Sequence, residues 1–159
     1  MPLSLTGIIH TIIGILAVFF GLKMLWQQKQ ITSHSFEGKF YLVATLFTAI
    51  SALTIFKHGS FNAAHALAIL TILATTSGVV LEKTVLFKSW NKYFVHLSFS
   101  GTILFHLIPT STEILTRFPM DGPVVTSLED PFLHKTFLII FLVFLAFIIF
   151  QMNWLRNKS

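Results

Sequence analysis

Five stretches of this chain are long runs of apolar side chains, and nothing else in the sequence constrains its folding as strongly. They cover about 3–26, 40–56, 61–81, 93–109 and 132–155. A helix crosses the hydrocarbon layer with about 20 mostly apolar residues and roughly 17 at the least. Because lipid offers no partner to a backbone N–H or C=O, a single segment satisfies its own polar groups there only as a helix. The expected fold is therefore all-α, a polytopic bundle of five transmembrane helices. The chain reads as one transmembrane domain over 1–159 with a loop at 110–131. Charged residues make up 11% of it and hydrophobic ones 54%, where a soluble domain carries about 25% charge.

The first run, Leu3 to about Trp26, lacks the basic start of a secretory signal, and no small-x-small cleavage site precedes Gln27 to Gln30, so it is expected to stay in the mature protein. Charge sets the orientation. Lys23, Lys29 and Lys39 follow the first run, Lys83, Lys88 and Lys92 the third, and Arg156 and Lys158 the fifth, with Lys57, Arg117 and Lys135 on the other side. The positive-inside rule then predicts an outer N-terminus and a cytoplasmic C-terminus. Trp26, Tyr41, Trp90, Tyr93 and Trp154 all fall at ends assigned to the cytoplasmic face, where aromatic rings settle among headgroups. The formal charge of +5 is spread along the flanks of apolar segments, so it argues for topology and against nucleic acid. In the loop, Phe118-Pro119-Met120-Asp121-Gly122-Pro123 reads as turn chemistry, and Ser111 to Phe118 as a short surface helix.

With no cysteine in the chain, disulfides, thiolate metal sites and cysteine nucleophiles are excluded, and chemistry falls to His, Asp, Glu and hydroxyls. Threading five helices puts His10, His65, His106 and His134 near one level of the outer leaflet, with His58 at the rim between the second and third helices. Ionisable groups inside spans are costly and usually face the bundle interior. His10 shares a stripe with Gly14, Ala17 and Gly21, small residues that permit close packing. Asn62 lies one turn from His65, and Thr102, His106 and Glu113 share a face if the fourth helix runs past Pro109. The fifth helix reads as apolar on every side beyond His134 and Thr136, a peripheral, lipid-facing span.

Three readings of the imidazoles stand side by side. His10, His65 and His106 could ligate a b-type haem, or, with His134 or His58, a d-block metal ion, since neutral imidazole suits both. The same groups could relay protons or contact a quinone. Or each imidazole bonds a nearby carbonyl or hydroxyl, and the protein is a structural or accessory membrane subunit. No phosphate loop, His-Glu-x-x-His motif or nucleophile elbow is present, so the expectation leans away from an enzyme; one acting on lipid or quinone would draw on Glu113 and His106.

His10-x-x-x-Gly14, then His34-x-x-x-Gly38-x-x-Tyr41, then a histidine-bearing fourth helix resemble an uncharacterised family of small predicted bacterial membrane proteins, which usually read His-Arg-x-x-Gly at the second motif; here Ser35 stands at the arginine position. The resemblance covers about the first two thirds of the chain and implies a multi-pass protein of the bacterial inner membrane, with no activity attached. A weaker likeness is to four-helix membrane cytochromes b, whose paired histidines at both ends of the bundle are not reproduced. The expected partners are the bilayer and a quinone or another membrane subunit.

Overall fold

The computed structural model describes residues 5–55, 60–119 and 121–158. Five helices account for most of them: α1 Leu5–Gln28, α2 Phe36–Ala52, α3 Ala63–Lys83, α4 Asn91–Arg117 and α5 Pro131–Asn157, with a short 3₁₀ turn at Lys88–Trp90 leading into α4. No strand occurs among the described residues.

α2, α3 and α5 begin where a side chain can satisfy free N–H groups of the first turn. Ser35 starts α2, its hydroxyl accepting from the Gly38 amide at 3.0 Å. Asn62 starts α3 in a capping box that His65 closes, and Asp130 starts α5 with Pro131 behind it, its carboxylate accepting from the Phe132 amide at 2.8 Å. These are the residue types that compete well for backbone donors at a helix start.

Three of the helices, α1, α3 and α5, are long and apolar enough to cross a membrane. The 17 residues of α2 rise only about 25 Å at 1.5 Å each, short of a hydrocarbon layer of about 30 Å. Large apolar side chains lie on the exterior along the whole length of the bundle, among them Ile12, Phe19, Leu73, Leu142 and Ile149.

The helices pack in chain order, α1 on α2, α2 on α3 and α3 on α4, while α4 also touches α1 and carries α5 on its outer side. The core gathers Ala17, Met24, Leu25, Ile31, Tyr41, Leu42, Ala44, Val95, Phe99 and Ile103. Gly21 makes the α1 contact possible: a Cβ there would fall 2.7 Å from Tyr41 Cε2 and closer still to Ile103 Cδ1. At Gly14 an added Cβ would meet Thr48 Cγ2 at an ordinary 3.6 Å.

Three sequence expectations change. The fourth helix continues through Pro109 to Arg117, so residues 110–117 extend α4 where a loop and a separate surface helix were expected. Pro109 offers no N–H to the Phe105 carbonyl one turn before; around it Thr110 donates to the His106 carbonyl at 2.7 Å, and Ser111 and Thr112 to that of Ile108 at 2.8 and 3.0 Å, side-chain bonds that reinforce the neighbouring turns. Tyr41, expected among headgroups, is fully buried. α5 is not apolar all round: Gln151 is fully buried, its oxygen accepting from Ser100 Oγ at 3.0 Å and its amide donating to the Lys29 carbonyl at 2.6 Å. That clasp holds an otherwise outward-facing helix to the bundle.

Candidate functional site

α2 carries Tyr41, Thr45, Thr48 and Ser51 at helical spacing along one face, so four hydroxyls line the seam it shares with its neighbours. Tyr41, Thr45 and Thr48 are buried. His10 reaches this line from α1, its Nδ1 lying 2.9 Å from Ser51 Oγ. His106 reaches it from α4, Nε2 lying 3.3 Å from Thr45 Oγ1. The two imidazoles are within electrostatic reach of each other, and Glu113 is within reach of His10. Glu113 is half exposed and paired with Arg117 one turn on.

Proton counting orders the network. A carbonyl only accepts, and a hydroxyl has one proton to give. Ser51 donates to the Thr48 carbonyl at 3.0 Å, so His10 must donate from Nδ1, leaving Nε2 as an acceptor. Thr102 donates to the Phe99 carbonyl at 2.6 Å, so the Tyr41 hydroxyl donates to Thr102 Oγ1 at 2.5 Å. His106 Nε2 and Thr45 Oγ1 form a separate pair beside it. The tautomer of His10 is assigned from its Ser51 bond.

The other imidazoles named from the sequence are engaged elsewhere. His65 is buried at the start of α3, stacked on Phe61 and with Nδ1 3.1 Å from Asn62 Oδ1. His134 is exposed, its Nε2 lying 3.1 Å from the Leu128 carbonyl. His58 lies outside the described residues. Among the described residues, no three His, Asp or Glu side chains come together in a way that could hold a metal ion. His10 and His106 are thus the pair that the fold turns toward one face of a third helix, His10 onto Ser51 and His106 onto Thr45. Tyr41, Thr45 and Ser51 were missed in the sequence. Their spacing at i, i+4 and i+10 on one helix was the available signal.

A second polar group lies at the other end of the bundle, where Lys23, Lys29, Lys83, Lys92 and Lys158 collect. There the α1–α2 connection is tied to α3: Glu82 accepts from Thr32 Oγ1 at 2.6 Å and from the Ser33 amide at 3.0 and 3.1 Å. Glu82 stands beyond the apolar stretch that ends at Leu81. Burial pushes its carboxyl up, but the hydrogen bonds from Ser33 and Thr32 outweigh that and hold it below the usual carboxylate value. Lys23 pairs with Glu37 at 2.6 Å across α1 and α2.

Compared with models of known families, with curated proteins and with solved structures, the chain finds no match.

Proposed function

We propose that the chain is an integral protein of a bacterial inner membrane, threading it five times from an outer N-terminus to a cytoplasmic C-terminus. We propose further that His10, His106 and the hydroxyls between them form a proton relay in its outer half. Three helices of sufficient length and the apolar exterior support the membrane reading. The lysine-rich end supports the orientation, and the resemblance carried by His10, Gly14, His34, Gly38 and Tyr41 supports the bacterial setting.

The relay rests on one observation, two imidazoles from α1 and α4 held on hydroxyls of α2, His10 on Ser51 and His106 on Thr45. Each neutral imidazole keeps one nitrogen that accepts, so a proton arriving from the outer side can be held on either ring and returned to that side. Glu113, within electrostatic reach of His10, offers a first stop for a proton arriving from water. A haem or metal ion would have the acceptor nitrogens of His10 and His106 as its imidazole ligands; the visible spectrum and metal content of the purified protein test that reading.

The relay is tested by the proton uptake of the purified protein in detergent after an acid pulse, read with a pH-sensitive dye. Wild-type protein should take up more protons than His10→Gln or His106→Gln protein, each of which removes one acceptor nitrogen. Equal uptake by all three overturns the relay.

A further inference from the structure

The lysine-rich end holds a cavity of about 310 Å³ lined by Gln30, Thr32, Glu82, Asn91, Lys92 and His96. At about 30 Å³ per liquid water it has room for a small polar group with some of its hydration. It draws on three parts of the fold: the α1–α2 connection, the end of α3 and the start of α4. Asn91 clasps that corner by donating to the Leu81 and Thr84 carbonyls at 2.6 and 2.9 Å, so the cavity is built on a bonded frame.

Its charges are of both signs and come from different helices. Glu82, on α3, has a side chain only 10% exposed. Its Oε1 accepts from Thr32 and Ser33 and its Oε2 from Ser33, and His34 Nε2 lies 3.8 Å from Oε1. Lys92, on α4, supplies positive charge and is held by the Leu155 carbonyl at 3.1 Å. One turn further along α4, His96 Nδ1 is buried with no hydrogen-bond partner. A buried polar atom without a partner costs free energy that a bound group or water would recover. Lys29 and Lys158 stand close by, both over the Trp154 ring.

A simple anion would face Glu82, and a simple cation would face Lys92. A zwitterion satisfies both. We propose that this cavity binds a phosphoethanolamine group, its phosphate toward Lys92 and His96 and its primary ammonium toward Glu82. The primary amine matters because it can hydrogen-bond the Glu82 carboxylate, which the quaternary ammonium of choline, having no N–H, cannot. Trp90, Tyr93 and Trp154 lie at the same end of the bundle, the aromatic setting in which headgroups are met, and basic pockets between helices on that side of a membrane suit phosphate headgroups.

The test uses the full-length protein in nanodiscs of phosphatidylcholine doped with phosphatidylethanolamine or phosphatidylglycerol, and separately in detergent titrated with free phosphoethanolamine. Thermal stability and the lipid retained after delipidation are read. The proposal expects phosphatidylethanolamine to be retained over both other lipids, with the preference falling at least about tenfold in Lys92→Gln and in His96→Leu. Glu82→Gln should lose it too. Because that change also loosens the α1–α2 connection, the two α4 variants carry the decision. Saturation by the free compound at the same strength supports the site and assigns it a soluble source; retention of the lipid without it assigns a membrane source. Equal retention of all three lipids with no response to the free compound, or variants that keep the wild-type preference, overturns the proposal.

Discussion

A buried hydroxyl has one proton to give, and that limit orders the polar interior around Tyr41. Its phenol is fully buried and, because Thr102 gives its own proton to the Phe99 carbonyl, must donate to Thr102. At Glu82 a similar accounting governs stability against pH. Its carboxyl is held below the ordinary value of 4.5, because the ionised form accepts from Ser33 and Thr32. A group with a depressed folded value stabilises the fold fully above its unfolded value and loses that contribution as pH falls through the folded one. Melting temperature should therefore fall as pH is lowered below about 4.5, and the Glu82→Gln protein should show a smaller fall over the same window, measured by differential scanning fluorimetry. An equal fall in both proteins would place the acid sensitivity elsewhere. Tyr41 itself could not be placed from the sequence: five residues into a helix beside a lysine-rich connection, an interfacial ring and a core ring read the same.

Between helices, small residues and buried amides decide the packing. Gly21 sits where Ile103 and Tyr41 close on α1, so a larger side chain there must push α4 or α2 away. Gly21→Leu should destabilise the protein by about 1–3 kcal/mol, as overpacking does. Phe141→Leu, on the exposed face of α5, should change it little. Comparable shifts of melting temperature in detergent would mean that α1 does not rely on the close approach at Gly21. The small-residue stripe of α1 was legible because glycines and alanine recur on one face. The attachment of α5 was not, since the partners of Gln151, Ser100 and the Lys29 carbonyl, lie 51 and 122 residues away. Periodicity within one helix carries no information about such partners.

For the molecule as a whole, threading is the expectation that most needs measurement. Reporter fusions after Gln30, Ser60, Ser89 and Asp121 should alternate inside, outside, inside, outside. Two successive reporters on one side would remove a span, and α2, at 17 residues, is the first to suspect. Loss of that span would also bring the relay into question, because its hydroxyls lie on α2.

Hydropathy was enough to read an all-helical chain, the presence of five helices and the approximate limits of all but the fourth, which runs on to Arg117, because each depends on a local run of residues. The starts at Ser35, Asn62 and Asp130 are also local, their side chains bonding amides two or three positions on, but hydropathy alone passes over them. The site did not follow from depth. His10, His65, His106 and His134 share a level in sequence, yet a level is a ring, and position around it depends on how neighbouring helices rotate to pack. The fold turns His10 and His106 onto the hydroxyl face of α2, leaves His65 closing a cap and leaves His134 at the surface. That rotation follows from close approaches such as Gly21 against Ile103 and Tyr41, contacts between residues far apart in the chain.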